Sequence, residues 1–535
     1  MQNKLFFLQS KIPLLYIGLC LITLACLQAF YFTHNFPDFN WFYNSDTLYL
    51  PALYKDLIKE NGHLASWYLT PSPYFFPDII LYFIINAITN DFYISVGLYF
   101  LFQLLFIYVL VYLIYSAFLT RKKAVIISSF SFLYFCMLAS LLKKPFAYTL
   151  ISAFHVGAFI SLLLLVYCAI LALKKNEKEQ SWIIFIFILL ISALSILSDK
   201  LILVHAILPM LATLFMMKVT PPFKGLLSTK TYLLTSSALV LGAALGRALY
   251  KQFVPNQTDF SAAIELDPAG LTQNIKWLDE SFSSMRMIGH GAWLMFFIFY
   301  ALCLVIFLFI NRTKDESPEK KMPVYFFSLF ALISLAATLL LFLFAKNTSG
   351  WGLNSRYFLP LFYLPILFVP LLGAFLSHRF QKILLSPLFI IVPIFIFSHI
   401  FNHRTIDLTK IKSEYYPEIF HCIDNVIEKE NLQYGAAQYW NARYTAMLSH
   451  HNVNIVSLRQ ELTPYVWIIN KDWFKGNYDF ILLDSKTAAY EKLDEKLITQ
   501  LNGPPLKVKQ CENLTFLIYP KGKLALPAAS SFKNN

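Results

Sequence analysis

The sequence predicts a polytopic α-helical membrane protein that ends in a small soluble α/β domain. Of its 535 residues, 57% are hydrophobic and only 14% are charged, whereas soluble domains carry about 25% charged residues. Apolar runs of about 20 residues, long enough to cross a bilayer about 30 Å thick, recur along the first three quarters of the chain. From residue 402 onward charged residues become frequent. We therefore expect a membrane domain over 1–401 and a soluble domain over 402–535.

The apolar runs predict about eleven transmembrane helices. The first, 12–32, is too long for the apolar region of a typical signal peptide and has no clear cleavage site, so we expect it to be retained. The run 79–88 is too short to span and is expected to be re-entrant or interfacial. The remaining spans are predicted at 93–119, 124–142, 148–173, 182–197, 201–217, 232–250, 292–310, 324–345, 357–376 and 383–401.

The loop charges predict the orientation of these helices. Lysine and arginine are concentrated in alternate loops, at 4–11, 121–123, 174–178, 218–230, 312–321 and 379–382. Positive residues in short loops mark the cytoplasmic side. We therefore expect a cytoplasmic N-terminus, large external loops at 34–78 and 251–290, and an external C-terminal domain. This distribution accounts for the net charge of +13 without a nucleic-acid partner.

The C-terminal domain has the pattern of a small α/β fold. Residues 414–430 are predicted to form a helix, and 454–458, 479–483 and 514–519 are predicted to form short strands. Cys422 and Cys511 both lie in this domain, on the oxidising side of the predicted topology. The sequence leaves open whether they form a disulfide.

The first external loop carries the residue that we select as the leading candidate for chemistry, Asp46. It follows the end of the first helix, in a stretch rich in tyrosine, phenylalanine and proline that is typical of a structured loop at a membrane surface. A carboxylate in such a loop is well placed to be desolvated and to act as a base. The alternative is that Ser45 and Asp46 cap a short helix over 47–60.

Several charged or titratable residues occur where hydropathy disfavours them. On the predicted topology they lie at about the same depth as Asp46, and they are Lys143, Lys144, His155, Asp199, Lys200 and Arg356. Each has an ordinary explanation, such as snorkelling, a tight loop or a buried histidine. Basic residues beside an acid at the lipid boundary are also what holds a lipid phosphate while a base activates a nucleophile.

The chain resembles the polyprenyl-phosphate-dependent membrane glycosyltransferases of the GT-C class, which include protein mannosyltransferases and lipid A aminoarabinose transferases. The resemblance covers the architecture and rests on Ser45-Asp46 with Tyr49-Pro51 and Asp56-Leu57, on Asp199-Lys200, and on Asn354-Ser355-Arg356-Tyr357-Phe358-Leu359-Pro360. Many such enzymes have paired acids in the first loop. This chain has Ser45-Asp46, which leaves open whether Asp78 is a second carboxylate or whether the chain has lost activity.

The resemblance implies an inverting glycosyltransferase of the bacterial inner membrane with a periplasmic C-terminal domain. It would move a sugar from a polyprenyl-phosphate donor to a lipid, glycan or protein acceptor, with Asp46 as the base. The residues expected to bind the donor phosphate are Lys143, Lys144, Lys200 and Arg356, with Arg286 as a weaker candidate. Other residues expected in the cavity are Tyr49, His155, Asp199, His290 and Tyr357. A divalent metal, Mg²⁺ or Mn²⁺, held by Asp46 and Asp78 is left open.

Two other functions fit parts of the same pattern. A transporter or flippase for a lipid-linked glycan would also have many helices with intramembrane charges, but the sequence shows no inverted repeat with broken helices at matching positions. A non-catalytic protein of envelope assembly is the third alternative. Neither accounts for an acid in a large external loop together with an external terminal domain.

Overall fold

A computed structural model describes residues 2–36, 38–141, 144–174, 182–220, 227–256, 266–284, 297–302, 304–305, 318–346, 355–373, 407–475, 477–488 and 491–527. Within these ranges, the α-helices before the C-terminal domain are α1 (Gln2–Phe32), α2 (Tyr49–Tyr54), α3 (Ile80–Thr89), α4 (Phe92–Ser116), α5 (Arg121–Ser140), α6 (Val156–Lys174), α7 (Trp182–Ser198), α8 (Leu208–Val219), α9 (Thr229–Phe253), α10 (Leu271–Ser284), α11 (Pro318–Phe344) and α12 (Leu359–Gly373).

Within the described residues, six helices are long and apolar enough to cross a membrane, namely α1, α4, α5, α6, α9 and α11. Shorter apolar helical stretches cover Phe75–Thr89, Trp182–Ser198, Leu203–Val219 and Ser355–Leu371. The prediction of a polytopic helical membrane protein is therefore confirmed. The predicted span 383–401 and the expected domain boundary at 401 lie outside the described residues, and the span 292–310 is described only in part.

One predicted span begins later than hydropathy indicates. The apolar run 148–173 was expected to be helical throughout, but α6 starts at Val156. Residues 146–150 form a separate 3₁₀ turn, and Ala153, Phe154 and His155 all have positive φ angles, of 70°, 57° and 68°. A left-handed backbone cannot continue a right-handed helix. The segment is nevertheless fully buried. Its apolar sequence therefore looks the same as that of a continuous helix.

The first loop is a folded unit that lies between the membrane helices and the C-terminal domain. The predicted helix over 47–60 appears as α2 followed by a π-helical turn, Lys55–Lys59. Strand β1 (Trp67–Tyr68) then pairs antiparallel with β4 (Ile469–Asn470) of the C-terminal domain. A second π-helical turn, Phe75–Ile79, leads directly into α3. The loop is thus joined to residues about 400 positions away.

The C-terminal domain is built on a five-stranded mixed sheet of order β3-β2-β5-β7-β6. The strands are β2 (Tyr434–Gln438), β3 (Asn454–Leu458), β5 (Phe480–Asp484), β6 (Lys507–Cys511) and β7 (Leu514–Ile518). Strand β2 is parallel to both β3 and β5, whereas β7 is antiparallel to β5 and β6. Its helices are α13 (Ile419–Glu430), α14 (Tyr439–Leu448) and α15 (Glu495–Asn502). The predicted α/β class is confirmed.

A disulfide joins two elements of this domain. Cys422 on α13 is bonded to Cys511 at the end of β6, so the question that the sequence left open is answered in favour of the bond. It ties the first helix of the domain to the edge strand of the sheet. Disulfides of this kind are typical of extracytoplasmic domains.

Candidate active site

The Asp46 carboxylate lies between the membrane part and the C-terminal domain. The Tyr439 hydroxyl, at the start of α14, donates to Asp46 Oδ1 over 2.5 Å. Arg356 Nη1 lies 3.9 Å from Asp46 Oδ2, and 20% of the arginine and 23% of the aspartate side chain are exposed. Burial and the neighbouring Asp46 charge raise the pKa of Tyr439 well above its usual value, so that hydroxyl stays a donor. Both charged side chains remain partly exposed.

The capping alternative for Asp46 is wrong. The Asn44 side chain accepts from the backbone N–H groups of Asp46 and Thr47, each over 3.0 Å. Helix α2 starts only at Tyr49, and its cap position is Leu48, with no side-chain cap. Asparagine makes this kind of turn readily because its carbonyl reaches N–H groups two and three residues on. The Asp46 carboxylate is thereby left to side chains from distant parts of the chain.

Arg356 is held by aromatic rings at the turn before α12. Its guanidinium lies 5.3 Å from the Phe154 ring centre and 5.0 Å from that of Tyr357, and it donates to the Tyr357 hydroxyl over 3.0 Å. Lys144, whose ammonium lies over the Trp41 ring, is the second cation here. Partial desolvation and the Arg356 charge lower the pKa of Lys144 below its usual value. The site therefore concentrates positive charge beside one carboxylate.

A second group of polar side chains packs against Tyr357, the residue whose hydroxyl accepts from Arg356. Asp199, only 2% exposed, accepts from His155 Nδ1 over 2.5 Å, from the Ser72 hydroxyl over 3.1 Å and from the Leu201 N–H over 3.0 Å. The other ring nitrogen, His155 Nε2, lies 3.3 Å from the Tyr74 hydroxyl. The structure thus joins two predicted cavity residues and adds Tyr74.

The backbone that carries His155 is strained. Three consecutive residues without a glycine, 153–155, adopt the left-handed conformation, which costs roughly 1–2 kcal/mol for each. Such strain persists where surrounding contacts enforce it, and it is concentrated at functional sites. Here it places the Phe154 ring against Arg356 and turns the His155 ring towards Tyr357, with ring centres 4.9 Å apart.

Asp78 occupies a different environment from Asp46. It is 1% exposed, and Tyr99 donates to its Oδ1 over 2.6 Å. Its other oxygen, Oδ2, packs against Gly157. A Cβ atom added at that glycine would lie 1.9 Å from Oδ2. The two carboxylates therefore have different hydrogen-bond partners. In the described part of the chain, no group of three His, Cys, Asp or Glu residues is placed to hold a metal ion.

The remaining predicted residues are placed as follows. The ammonium of Lys200 lies 3.8 Å from the Tyr250 ring centre on α9, near Arg247, rather than in contact with Asp46. The Tyr49 hydroxyl donates to the Pro73 carbonyl over 3.1 Å and so supports the Tyr74 segment. The predictions that concern Lys143, Arg286 and His290 lie outside the described residues.

The residues that sequence reasoning missed come mostly from the C-terminal domain. Tyr439 bonds Asp46, and Arg443, one turn later on α14, donates to the Ser45 carbonyl and to that of Ile468. The Ser45 hydroxyl in turn lies 2.9 Å from the Tyr439 carbonyl. The one available signal was Gln438-Tyr439-Trp440, an aromatic pair directly after a short apolar stretch. Nothing local indicates that it meets residue 46.

Comparison with known proteins leaves the family of this chain undefined. No protein-family model matches it, and no curated protein matches it at a significant level. A solved structure with some likeness is the Archaeoglobus fulgidus oligosaccharyltransferase in complex with Zn and sulfate. It is 13% identical, with a TM-score of 0.47, and the alignment covers 88% of this chain and 68% of that one. Likeness at this level transfers neither a residue role nor a substrate.

Proposed function

We propose that the protein is an inverting membrane glycosyltransferase of the GT-C type. It moves a sugar from a polyprenyl-phosphate donor to an acceptor of the cell envelope, on the outer face of the bacterial inner membrane. The observation that carries this proposal is the pairing of the Asp46 carboxylate with the Arg356 guanidinium. The two groups lie at the junction of a helical membrane domain and a disulfide-bonded α/β domain.

The Asp46–Arg356 pair suits a reaction in which a proton and a phosphate are handled side by side. Their 3.9 Å separation is longer than the 2.7–2.9 Å of a charge-assisted hydrogen bond, so the two ions are not locked together. A phosphate has the charge and oxygen geometry to replace Asp46 as the partner of the guanidinium. That exchange would free the carboxylate to face the acceptor.

The chemistry follows from these positions. The Asp46 carboxylate takes the proton from the acceptor hydroxyl or amine. The acceptor atom attacks the anomeric carbon while the bond from that carbon to the phosphate oxygen breaks. The electron pair stays on the phosphate, where Arg356 and Lys144 stabilise the growing charge. Attack opposite to the leaving group inverts the anomeric configuration, and polyprenyl phosphate departs.

Tyr439 has a supporting role in this scheme. Its hydroxyl donates to one oxygen of Asp46, which fixes the rotamer of the carboxylate and leaves the other oxygen for the acceptor. The C-terminal domain therefore contributes a side chain to the proposed active site. The steps require only side chains of this chain, and no step is assigned to a metal.

The experiment that tests the proposal is the variant Asp46→Asn. Lipid and glycan profiles of a strain lacking the protein first identify the sugar and the acceptor. Transfer by the variant in membranes should then fall by about 10²–10⁴, because the base is lost while the shape of the side chain is kept.

Asp38→Asn is the matched control for this test. Asp38 is an exposed aspartate of the same loop with a φ of 51°, a conformation that asparagine also tolerates. It should keep full activity. Asp46→Asn protein that transfers sugar as fast as Asp38→Asn, and melts at the same temperature, would show that Asp46 is not the base.

A further inference from the structure

Three basic side chains, which we call the basic patch, lie together where α7 and α9 end. Lys200 lies in the turn after α7, and Arg247 and Lys251 lie in the last two turns of α9. The Lys200 ammonium lies 3.8 Å from the Tyr250 ring centre, and the Arg247 guanidinium lies 5.9 Å from the same centre. One aromatic ring therefore contacts two cations that come from different helices.

The packing of α7 on α9 fixes the position of this ring. Gly242 and Gly246 of α9 approach successive turns of α7 in the same order along both chains, so the two helices run in the same direction. Tyr250, one turn after Gly246, therefore lies beside the end of α7. Its hydroxyl donates to the Pro71 carbonyl of the first loop over 3.2 Å. The ring is held by a helix contact on one side and by the loop on the other.

The basic patch lies at the level where a bilayer would end. Only 28% of the apolar window of α9 is buried inside the folded chain, so most of this candidate span faces lipid. From Lys230 to Lys251 the helix rises about 32 Å, close to the thickness of about 30 Å of a bilayer core. Tyrosine and basic side chains at the end of such a span are typical of the headgroup level.

The exposed side of α9 changes from apolar to basic towards this end. Ala244, Arg247 and Lys251 are exposed and lie on one face, because side chains three and four residues apart are neighbours on a helix. The turn before them exposes Val240 and Leu241. An apolar surface and a cationic surface therefore follow each other along the helix, as the acyl chains and the headgroup do in a lipid.

The positive charges of the basic patch are not balanced by acids. Within the described residues, no ion pair includes Lys200, Arg247 or Lys251, and the neighbouring Asp199 is bonded to His155 instead. Partial desolvation and the Arg247 charge lower the pKa of Lys200 below its usual value, as expected for like charges kept close together. An anion between the two cations would relieve this repulsion.

We propose that the basic patch binds the headgroup of an anionic phospholipid of the surrounding bilayer. The phosphate lies between Lys200 and Arg247, and the acyl chains lie along the exposed apolar side of α9. A guanidinium can bind two phosphate oxygens at once, and a headgroup with a net negative charge complements cations that no acid neutralises. The inference does not depend on the proposed function, because it requires only a bilayer around α9.

The test is native mass spectrometry of the full-length protein in detergent. The protein is titrated with phosphatidylglycerol and, separately, with phosphatidylcholine of the same acyl chains. We expect wild type to bind phosphatidylglycerol in preference, and added salt to weaken that binding. Lys200→Gln and Arg247→Gln should each weaken it by about fivefold, the usual contribution of one basic residue at an anionic membrane surface. Binding of phosphatidylcholine should not change.

Lys230→Gln is the matched control for these two variants. Lys230 is an exposed lysine at the opposite end of the same helix, and its replacement should leave phosphatidylglycerol binding as in wild type. Tyr250→Leu removes the ring that both cations contact and should weaken binding at least as much as either single change. Melting temperatures show that each variant is folded. Should Tyr250→Leu fail to fold, the two single charge variants decide the question.

Three results would overturn the inference. The first is equal binding of the two phospholipids by wild type, and the second is an equal loss in Lys230→Gln and Lys200→Gln, which would mean diffuse attraction between charges. The third comes from a parallel titration with a long-chain polyprenyl monophosphate. If Lys200→Gln and Arg247→Gln weakened only the binding of that lipid, the basic patch would belong to a site for polyprenyl phosphate and not to one for a bilayer phospholipid.

Discussion

At the scale of the residue, the contacts of Arg356 fit an arginine better than a lysine. Its planar group lies against Phe154 and Tyr357 and still presents donors towards Asp46. A lysine ammonium is a point charge that can neither stack flat nor bind two oxygens at once. The aromatic contacts therefore fix the plane of the guanidinium, which the proposed reaction would use to bind a phosphate.

We predict that Arg356→Ala lowers kcat/KM by the equivalent of roughly 2–4 kcal/mol, because a partly desolvated charge-assisted contact is removed. Arg356→Lys should recover only part of the loss. The measurement is steady-state transfer in detergent, with melting temperature recorded for each variant. Arg121→Ala, at an exposed arginine where α5 begins, is the control and should be neutral. Equal activity of Arg356→Lys and wild type would show that the planar guanidinium, with its ability to bind two oxygens at once, is not needed.

Sequence reasoning reached part of this site because the residues interrupt apolar runs. His155, Asp199, Arg356 and Tyr357 all lie at or near helix ends, and the structure does bring them together. Tyr439 was missed because its contact with Asp46 spans 393 positions. A contact between residues so far apart in the sequence leaves no pattern in the residues around either of them.

At the scale of the element, helices α7 and α9 approach each other through glycines. A Cβ at Gly242 would lie 2.5 Å from the Leu189 carbonyl oxygen, and one at Gly246 would lie 2.3 Å from that of Ala193. Glycines four apart lie on one face of a helix and allow two backbones to pack closely in a membrane. This contact supports α7, which ends directly before Asp199.

We predict that Gly246→Val destabilises the protein by about 1–3 kcal/mol, as expected when a close-packed contact is overfilled. The control is Gly18→Val in α1, where no atom lies within 4 Å of the added Cβ. Thermal unfolding in detergent should show a lower melting temperature for the first variant alone. Identical melting of the two would mean that α7 and α9 do not depend on this close approach.

The elements that the sequence predicted and those that it missed differ in how they are buried. The membrane helices are long and apolar, so hydropathy identifies them. Strand β2 (Tyr-Gly-Ala-Ala-Gln) is buried yet carries small residues, and β6 (Lys-Val-Lys-Gln-Cys) is an exposed edge strand rich in lysine. Neither shows the β-branched or aromatic alternation by which strands are recognised. Both are placed by pairing with β5 and β7.

At the scale of the whole molecule, one buried carboxylate of the first loop contacts the C-terminal domain directly. Asp56, 3% exposed, accepts from Trp67 Nε1 over 2.6 Å, from Asn470 Nδ2 over 3.0 Å and from Trp473 Nε1 over 3.3 Å. Two of these donors belong to the C-terminal domain. The β1–β4 pairing lies beside this contact. The same docking brings Tyr439 to Asp46.

The consequence is that Asp56 should affect activity from outside the reaction centre. Asp56→Asn replaces one acceptor oxygen by an amide that faces an indole N–H, so a buried donor loses its partner at a cost of about 1–3 kcal/mol. Asp424→Asn is the matched control, because Asp424 is also buried and accepts from Tyr416, Ser449 and His450 within its own domain.

We predict that both variants lower the melting temperature, and that Asp56→Asn alone also lowers kcat, by about tenfold or more. Only that change loosens the surface that presents Tyr439 to Asp46, and misplacement by about 1 Å is enough to cost two orders of magnitude in rate. Transfer rates are measured well below both melting temperatures, with Tyr439→Phe and the double variant alongside. If Asp56 acts through Tyr439, the double variant should lose little more than the poorer single variant. Equal kcat values for Asp56→Asn and Asp424→Asn would show that the Asp56 contact affects the stability of the protein and not its rate of transfer.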